Sequence, residues 1–360
     1  MGDLTEQEKL ARLRLSLTNG VGIATFKSII DEFGSAYSFL TQDGSNFPTS
    51  LKNILQKSNR LDLEDKLRIL EQNETKYIVY GEESYPFLLM QINDPPTCLF
   101  YKGDLQVLKK DVITIVGTRI SSKYSEHILK NIIPDLIVGD FAIASGMAMG
   151  VDAIVHKNTI NERGKTIAVL GSSVDNPTPK SNYILYDSIL ESGGVVLSEI
   201  FPSRNVFAGS FPRRNRILAG LSKAVIVTEA GRRSGALITA HLAFDYNREV
   251  FAFPGDINRD KSAGANLLIK LQKAKLIENA KDVFDELGLI TREARYSNRK
   301  LLEGNQKIIY ELLRAGGAIS FDAILAETKL TAKALIAELT LLEIEEYIYK
   351  DIDLKYSAII

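Results

Sequence analysis

Residues 111–150 read DVITIVGTRISSKYSEHILKNIIPDLIVGDFAIASGMAMG. Two short apolar runs, VITIVG and FAIAS, flank a stretch whose apolar residues have helical spacing. Apolar runs without strict alternation are typical of strands buried on both faces, and a helix between two such strands forms a βαβ unit. This stretch therefore predicts parallel strands with a helix packed on one face of the sheet.

The same alternation continues as far as residue 290. Four more apolar runs follow, each separated from the next by a helical pattern: TIAVLG, GVVLSE, AVIVTE and EVFAFPG. Repeated units of this kind predict an α/β fold, a Rossmann-like, doubly wound domain with a mainly parallel sheet. The stretch from Tyr77 to Asp104 is punctuated by prolines and predicts an irregular lead-in. We assign residues 76–290 to this domain and its lead-in.

Residues 1–75 predict an N-terminal helical domain, because apolar residues recur three and four apart with glycines at the breaks. Within it, the segment Thr18 to Ile30 places a Gly20-Val21-Gly22 turn between helical patterns, the layout of a helix-hairpin-helix or SAM-like domain. Such a turn can offer backbone N–H groups to a phosphate. A plain connection between two helices explains the same pattern.

The C-terminal part begins with a polar linker at 291–300, and residues 301–360 follow with three helical patterns and an alternating hairpin rich in Tyr and Ile. This order predicts a winged helix. Its third helix carries Lys333 but also Glu338, Glu343, Glu345 and Glu346. We therefore expect that helix to contact protein instead of DNA, with a purely structural role as the alternative.

Composition limits the functional classes. The 360 residues suffice for two or three domains. The net charge of −1 argues against binding of nucleic acid through an overall positive field, so any such binding needs a local patch. No stretch approaches the roughly 20 apolar residues of a membrane helix, and we expect no membrane partner. Cys98 is the only cysteine, which excludes an internal disulfide and predicts a cytoplasmic protein.

In a doubly wound sheet, ligands bind beyond the carboxyl ends of the strands. Here those ends are rich in glycine and serine, which let the backbone approach a ligand, and helices begin just after them. The segments are 117–119, 145–150, 171–173, 198–199, 229–235 and 254–256. Together they favour an anion, most simply a phosphate, although a glycine turn at any single strand end is equally compatible with a structural role.

Charge strengthens this interpretation. The stretch between Ile200 and Thr228 contains no acidic residue and has the following basic ones: Arg204, Arg213, Arg214, Arg216 and Lys223. Arginine binds phosphate oxygens in bidentate fashion and stacks on bases, so the stretch predicts a basic pocket for a nucleic acid. A solvated charged face is the alternative.

Catalytic motifs are not evident. Gly164-Lys165-Thr166 looks like the end of a P-loop but precedes a predicted strand, where the motif has to follow one. Asp152 and Glu199 could act as general base and acid near a nucleotide, but the sequence does not set their separation. The three histidines occur in unlike contexts without metal-ligand spacing: His127, His156 and His241. We expect no catalytic residue, no metal and no cofactor.

Six motifs, in order and spacing, resemble the DprA/Smf family of DNA-processing proteins over about residues 77–290. They are VGTRISSKYS, ASGMAMGVDAIVH, GKTIAVLGSSVD, FPRRNRILAGLSKAVIVTEA, SGALITAHLA and REVFAFPGDI. The resemblance implies a homodimer that binds and protects single-stranded DNA and loads the RecA recombinase during natural transformation. By position it assigns DNA binding to Arg119, Ser145, Gly146, Lys180, Asn182, Arg213, Arg214, Asn215, Arg216, Ser234, Gly235 and Thr239.

Two other functions compete with a DNA-binding mediator. The first is a nucleotide-binding enzyme or sensor of the lysine-decarboxylase-like group, whose Pro-Gly-Gly-x-Gly-Thr-like loop is replaced here by Glu229-Ala-Gly-Arg-Arg-Ser-Gly235. Two arginines in place of a glycine phosphate cradle favour a polymeric polyanion. The second is a scaffold that recruits a partner through the acidic winged helix, which the basic residues retained in the crevice disfavour.

Overall fold

The computed structural model describes residues 4–203, 209–289, 302–345, 347–351 and 354–358. They divide into two units, Met1–Thr291 and Arg292–Ile360, each of which is described by itself. The linker predicted at 291–300 lies outside the described residues, and the predicted domain boundaries stay predictions.

Short helices form the N-terminal part of the first unit. They are α1 (Glu6–Leu17), α2 (Ile23–Phe33), α3 (Ala36–Leu40), α4 (Thr49–Arg60) and α5 (Leu63–Gln72). Phe26, Ile29 and Phe39 are fully buried in the core of this bundle. Arg12 joins it to the following segment, since its guanidinium donates to Glu8 at 2.6 Å and to the Tyr80 carbonyl at 2.6 Å. The predicted helical domain is confirmed, and the Gly20–Gly22 turn lies between α1 and α2.

A nine-stranded sheet follows, in the spatial order β1-β2-β6-β5-β4-β3-β7-β8-β9. Its strands are β1 (Lys76–Val79), β2 (Cys98–Gly103), β3 (Val112–Val116), β4 (Ala142–Ser145), β5 (Thr166–Val169), β6 (Val195–Ser198), β7 (Ala224–Val227), β8 (Glu249–Ala252) and β9 (Lys275–Leu276). All neighbours from β6 to β9 are parallel. The six apolar runs are β3 to β8, which confirms the doubly wound, mainly parallel sheet.

The lead-in is more regular than predicted. β1 and β2 pair antiparallel, with Val79 opposite Cys98, and β2 pairs antiparallel with β6, with Phe100 opposite Ser198. The sheet therefore begins at Lys76. The prolines that suggested irregularity lie between these two strands, and pairing of β2 with β6 is a long-range contact that no local pattern records.

Helices cover the two faces of the sheet. They are α6 (Phe87–Met90), α7 (Lys123–Val138), α8 (Val151–Asn161), α9 (Tyr183–Glu191), α10 (Ser210–Leu221), α11 (Gly235–Asp245), α12 (Ala263–Lys270) and α13 (Ala280–Glu286), with 3-10 helices at Leu105–Lys109 and Lys180–Asn182. Alternate residues of β3 enter two cores: Val112 and Val116 pack with α10, α11 and α12, whereas Ile113 and Ile115 pack with α7 and α13. Burial on both faces explains why these strands lack polar alternation.

The second unit contains α14 (Gly304–Gly316), β10 (Ile319–Ser320), α15 (Phe321–Thr328), α16 (Ala332–Ile344), β11 (Ile348–Lys350) and β12 (Lys355–Ala358). Its three strands pair antiparallel in the order β10-β12-β11. Ile309, Ile324, Leu335 and Leu339 are buried in its own core. The two-residue strand β10 was not predicted, and the winged-helix assignment stays a prediction.

Candidate functional site

The central strand β3 lies between β4 and β7, so the sheet extends in one direction through β4 and in the other through β7. This switch in strand order is where ligands bind in doubly wound folds. A cavity of about 610 Å³ opens there, and we call it the switch-point cavity. Its walls come from five segments: 116–119, 148–152, 211–218, 231–239 and 260–261.

Three cationic side chains reach this cavity from the ends of three strands. Arg119 follows β3, Arg233 follows β7 and Lys261 follows β8. Arg119 and Arg233 are exposed, Lys261 is half-buried, and none of the three forms an ion pair with any residue that the structure describes. The carboxylate of Asp260 also lines the rim. These cations are therefore available to an anionic ligand.

The N-terminus of α11 borders the same cavity. Ser234 caps it by accepting from Ala236 N at 3.3 Å. Gly235 is exposed, and a Cβ placed on it would have no atom within 4 Å, so the backbone is open to a ligand. By contrast, the N-terminus of α7 is closed, because Ser122 donates to Glu229 from N at 3.2 Å and from Oγ at 2.9 Å. Of these two helix termini, that of α11 offers a phosphate the open backbone of Gly235.

Arg214 forms the floor of the cavity and is buried. Its Nη1 donates to the Gly146 carbonyl at 2.6 Å and to the Val169 carbonyl. A Cβ on Gly146 would lie 2.5 Å from Arg214 Nη2 and 2.6 Å from Asp152 Oδ2, so any other residue would have to displace these two side chains. Arg214 thus ties the ends of β4 and β5 together at the site.

The charges around Arg214 are coupled. Burial raises the pKa of Asp152, and the positive charge of Arg214 opposes that rise. Burial likewise lowers the pKa of Arg214, which the attraction of Asp152 opposes. Burial, followed by repulsion from Arg214, lowers the pKa of His156 to about 3. The His156 ring is therefore neutral at physiological pH.

Other predicted residues shape the loops. Ser145 is buried and donates to the Ile115 carbonyl at 2.8 Å. Asn182 donates to the Met147 carbonyl at 2.9 Å and to the Ala148 carbonyl at 3.2 Å. Six of the twelve predicted residues line the switch-point cavity: Arg119, Arg214, Asn215, Ser234, Gly235 and Thr239. Ser145, Gly146 and Asn182 support its loops, whereas Lys180 is exposed and not among the lining residues.

The structure divides the predicted basic cluster. Arg213 and Arg216 line a second cavity of about 500 Å³, where they contact Glu199 Oε1 at 3.1 and 2.6 Å. Arg216 also lies 3.3 Å from Asp94. Because these carboxylates lie outside the 200–228 stretch, the sequence did not reveal that they neutralise part of its charge. Lys223 pairs with Asp111 at 2.5 Å where β7 begins, and Arg204 lies outside the described residues.

Arg233 and Lys261 were missing from the predicted DNA-binding residues. Both stand in loops at the carboxyl ends of parallel strands, and this position was the signal that could have found them. Among the described residues, no group of three or more His, Cys, Asp or Glu side chains could hold a metal ion, and no helix has the length and apolarity to cross a bilayer.

The fold and the site define a Rossmann-like protein with a cationic crevice, preceded by a helical hairpin. The sequence model of the DNA recombination-mediator protein A family matches residues 76–288, and that of the DprA-like N-terminal HHH domain matches residues 6–42. The chain belongs to the DNA recombination-mediator protein A family. The DprA/Smf resemblance is thereby confirmed, as is the helix-hairpin-helix interpretation of the N-terminal turn.

Individual relatives agree. Protein Smf of Escherichia coli is 39% identical over 228 residues, which cover 63% of this chain and 61% of that protein. DprA of Streptococcus pneumoniae is 42% identical over 205 residues, covering 57% and 72% of the two chains. The match thus spans less than two thirds of the E. coli protein.

Two solved structures share the fold. That of S. pneumoniae DprA superposes with a TM-score of 0.66 at 32% identity, covering 79% of this chain and 99% of the other. That of Helicobacter pylori DprA, described for its single-stranded DNA binding mode, has a TM-score of 0.54 at 30% identity, covering 59% and 95%.

Proposed function

We propose that the chain binds single-stranded DNA in the switch-point cavity and acts as a recombination mediator. The observation that carries this proposal is the convergence of Arg119, Arg233 and Lys261 with the open N-terminus of α11. Three cations and the exposed Gly235 backbone suit successive phosphates of a strand. The half-buried Phe211 and the exposed Ile238 line the same cavity and offer apolar surface to bases.

The proposed activity is binding without catalysis. Asp152 is the carboxylate at the cavity floor, and it faces the buried Arg214 while accepting from Ala148 N at 3.3 Å. Glu199 accepts from arginines that line the second cavity, so the two carboxylates that the sequence suggested as base and acid border different cavities. Proton transfer in one site would need them to flank the same ligand.

We further propose that the bound strand is passed to the RecA recombinase, that the working form is a homodimer, and that the protein acts in the cytoplasm during natural transformation. The family name supports the mediator role, and the DprA relatives of S. pneumoniae and H. pylori support the link to DNA processing. The test is whether the protein stimulates RecA-dependent strand exchange on DNA already coated with single-strand-binding protein.

Fluorescence anisotropy tests the binding site. A labelled single strand is titrated with wild type, Arg119→Ala and Arg163→Ala over a salt series, with unlabelled duplex as competitor. Arg163 is the matched control, because it is an exposed arginine just before β5, at the opposite end of the parallel strands. Wild type should prefer the single strand.

Arg119→Ala should weaken binding about tenfold and reduce the salt dependence by about 0.7, the value for one phosphate contact on a single strand. Arg163→Ala should match wild type. Equal binding of single strand and duplex by wild type, or wild-type binding by Arg119→Ala, would refute the assignment. Nucleotide hydrolysis by the wild type would favour the rival enzyme.

A further inference from the structure

One face of α16 in the second unit is apolar and uncovered. The inner face is buried, with Leu335, Leu339 and Leu342 at most 1% exposed. The outer face presents residues three and four apart, and we call the following set the α16 stripe: Ile336, Ala337, Thr340, Leu341 and Ile344. Within the stripe Ile336 is 56%, Leu341 45% and Ile344 71% exposed. A contiguous exposed apolar surface of this kind marks a contact with another macromolecule.

The charges beside the stripe exclude DNA as that partner. The only cation on α16 is Lys333, whereas Glu338 and Glu343 lie on the same helix and Glu345 follows it. A duplex carries one negative charge per about 1.7 Å of its axis, so a helix of this composition would be repelled from a groove. The partner surface is a protein surface with apolar residues.

We infer that α16 pairs with α16 of a second copy of this chain in antiparallel orientation. Four of its residues are symmetric about the midpoint between Glu338 and Leu339, so a twofold axis there places Ile336 opposite Leu341 of the second copy and Ala337 opposite its Thr340. The fifth, Ile344, lies opposite Lys333 of the second copy. The small residues at the centre let the two helices approach closely. A self-complementary patch is what an isologous interface requires.

Charge fixes the orientation. Lys333 lies at the N-terminal end of the stripe, and Glu343 and Glu345 lie at its C-terminal end. An antiparallel pair brings the lysine of each copy next to the glutamates of the other at both ends of the interface. A parallel pair would place like charges together, which is destabilising.

The interface is small, because one face of a 13-residue helix provides less than the roughly 800 Å² per partner of a stable complex. Pairing by α16 is therefore weak in dilute solution and is strengthened when copies are held near one another. The inference names a contact within the proposed homodimer and therefore rests on that part of the proposed function. It needs no DNA, so loss of pairing and loss of DNA binding are separate results.

Site-directed cross-linking of the full chain tests the pairing without DNA. Cys98 is the only native cysteine and is buried, so an introduced thiol is the reactive one. Ala337→Cys lies near the twofold axis and should form covalent dimers with a short bismaleimide. Lys333→Cys should not, because the two equivalent positions are about 16 Å apart along the helices. A mixture of Lys333→Cys and Ile344→Cys chains should cross-link, since those positions face each other.

A charge exchange checks the register. In the Ala337→Cys background, Ile336→Lys or Leu341→Glu alone should reduce the dimer yield about tenfold, the effect of about 1.4 kcal/mol. The double substitution should restore it, because the lysine of each copy then faces the glutamate of the other. Circular dichroism verifies that these exposed substitutions leave the fold intact.

Absence of cross-linking by Ala337→Cys would overturn the inference and indicate that the stripe is covered by something other than a second copy. Self-cross-linking of Lys333→Cys at the same yield would overturn the antiparallel arrangement. Failure of the double substitution to recover the dimer would overturn the register.

Discussion

Replacing Arg214 by methionine should destabilise the Rossmann-like domain strongly. Arg214 is 8% exposed, its guanidinium donates to the carbonyls of Gly146 and Val169, and its positive charge attracts the carboxylate of Asp152, which is 7% exposed. Methionine is a long side chain too, but it leaves two carbonyls without the donor and one buried carboxylate without the positive charge that Arg214 supplies.

The expected loss follows from that geometry. Removing one of two buried charges that attract each other costs about 3–5 kcal/mol, since the remaining charge is uncompensated. For a unit of this size each kcal/mol shifts Tm by about 2–4 °C, so Tm should fall by about 10 °C. Asp152→Asn in the same chain should recover more than half of the loss, because it removes the orphaned charge.

The loss should depend on pH. In wild type, burial raises the pKa of Asp152 above its usual 3.8, and without Arg214 that pKa rises further. A carboxyl whose folded pKa is raised destabilises the native state above its unfolded pKa and ceases to do so when protonated. The stability difference between Arg214→Met and Arg214→Met/Asp152→Asn should therefore shrink as pH falls from 7 toward 4.

Urea unfolding followed by circular dichroism at several pH values measures these differences. Arg213→Met is the matched control, as it is the exposed neighbour on the same helix and should change stability by less than about 1 kcal/mol. If Arg214→Met is as stable as wild type, or if Asp152→Asn restores nothing, the buried pair does not hold the site together and the reasoning is wrong.

Three further predictions concern the same domain. Gly235→Ala should leave the free energy of unfolding in urea within about 1 kcal/mol of wild type, because no atom lies near the added Cβ. It should weaken single-strand binding by about 1 kcal/mol or more, because a phosphate approaches that backbone in the proposed complex. Unchanged anisotropy would contradict this. Val169→Asp should abolish folding, since Val169 is fully buried in β5 and an unpaired buried charge costs several kcal/mol; soluble protein with native circular dichroism would contradict it. Folding lowers the pKa of His156 from 6.5 to about 3, so its neutral ring contributes stability that is present above pH 6.5 and is lost as the pH falls toward 3. His156→Asn should therefore flatten the dependence of the urea unfolding midpoint on pH between these two values.

The sequence predicted the sheet well where burial is two-sided. Every residue of β3 to β7 is buried, and so are the last three of β8, so their apolar runs stood out from the helices between them. The edge pair β1 and β2 was missed. Burial of β1 is graded from exposed Lys76 to buried Val79, and the pairing of β2 with β6 joins residues about 95 positions apart.

The location of the site was predicted from the sequence, but the role of each charged residue in it was not. Strand ends identified the crevice, because parallel strands direct their carboxyl ends to one edge of the sheet. The basic stretch between Ile200 and Thr228, however, leaves out two carboxylates. Glu199 immediately precedes it, and Asp94 lies far upstream in the chain. Their ion pairs with Arg216 depend on β2, β6 and α10 meeting in space, and no spacing along the chain records that.

The division of labour among the arginines explains how a protein of nearly zero net charge could hold a polyanion. Arg214 and Asp152 compensate each other inside the domain and fix the ends of β4 and β5, so their charges are not available to a strand. Arg119, Arg233 and Lys261 stand on the loops around that fixed floor and lack carboxylate partners among the described residues. Ordering these loops on binding then costs little free energy, and the free cations retain their attraction for phosphate. Binding should accordingly depend on the exposed cations, and folding on the buried pair.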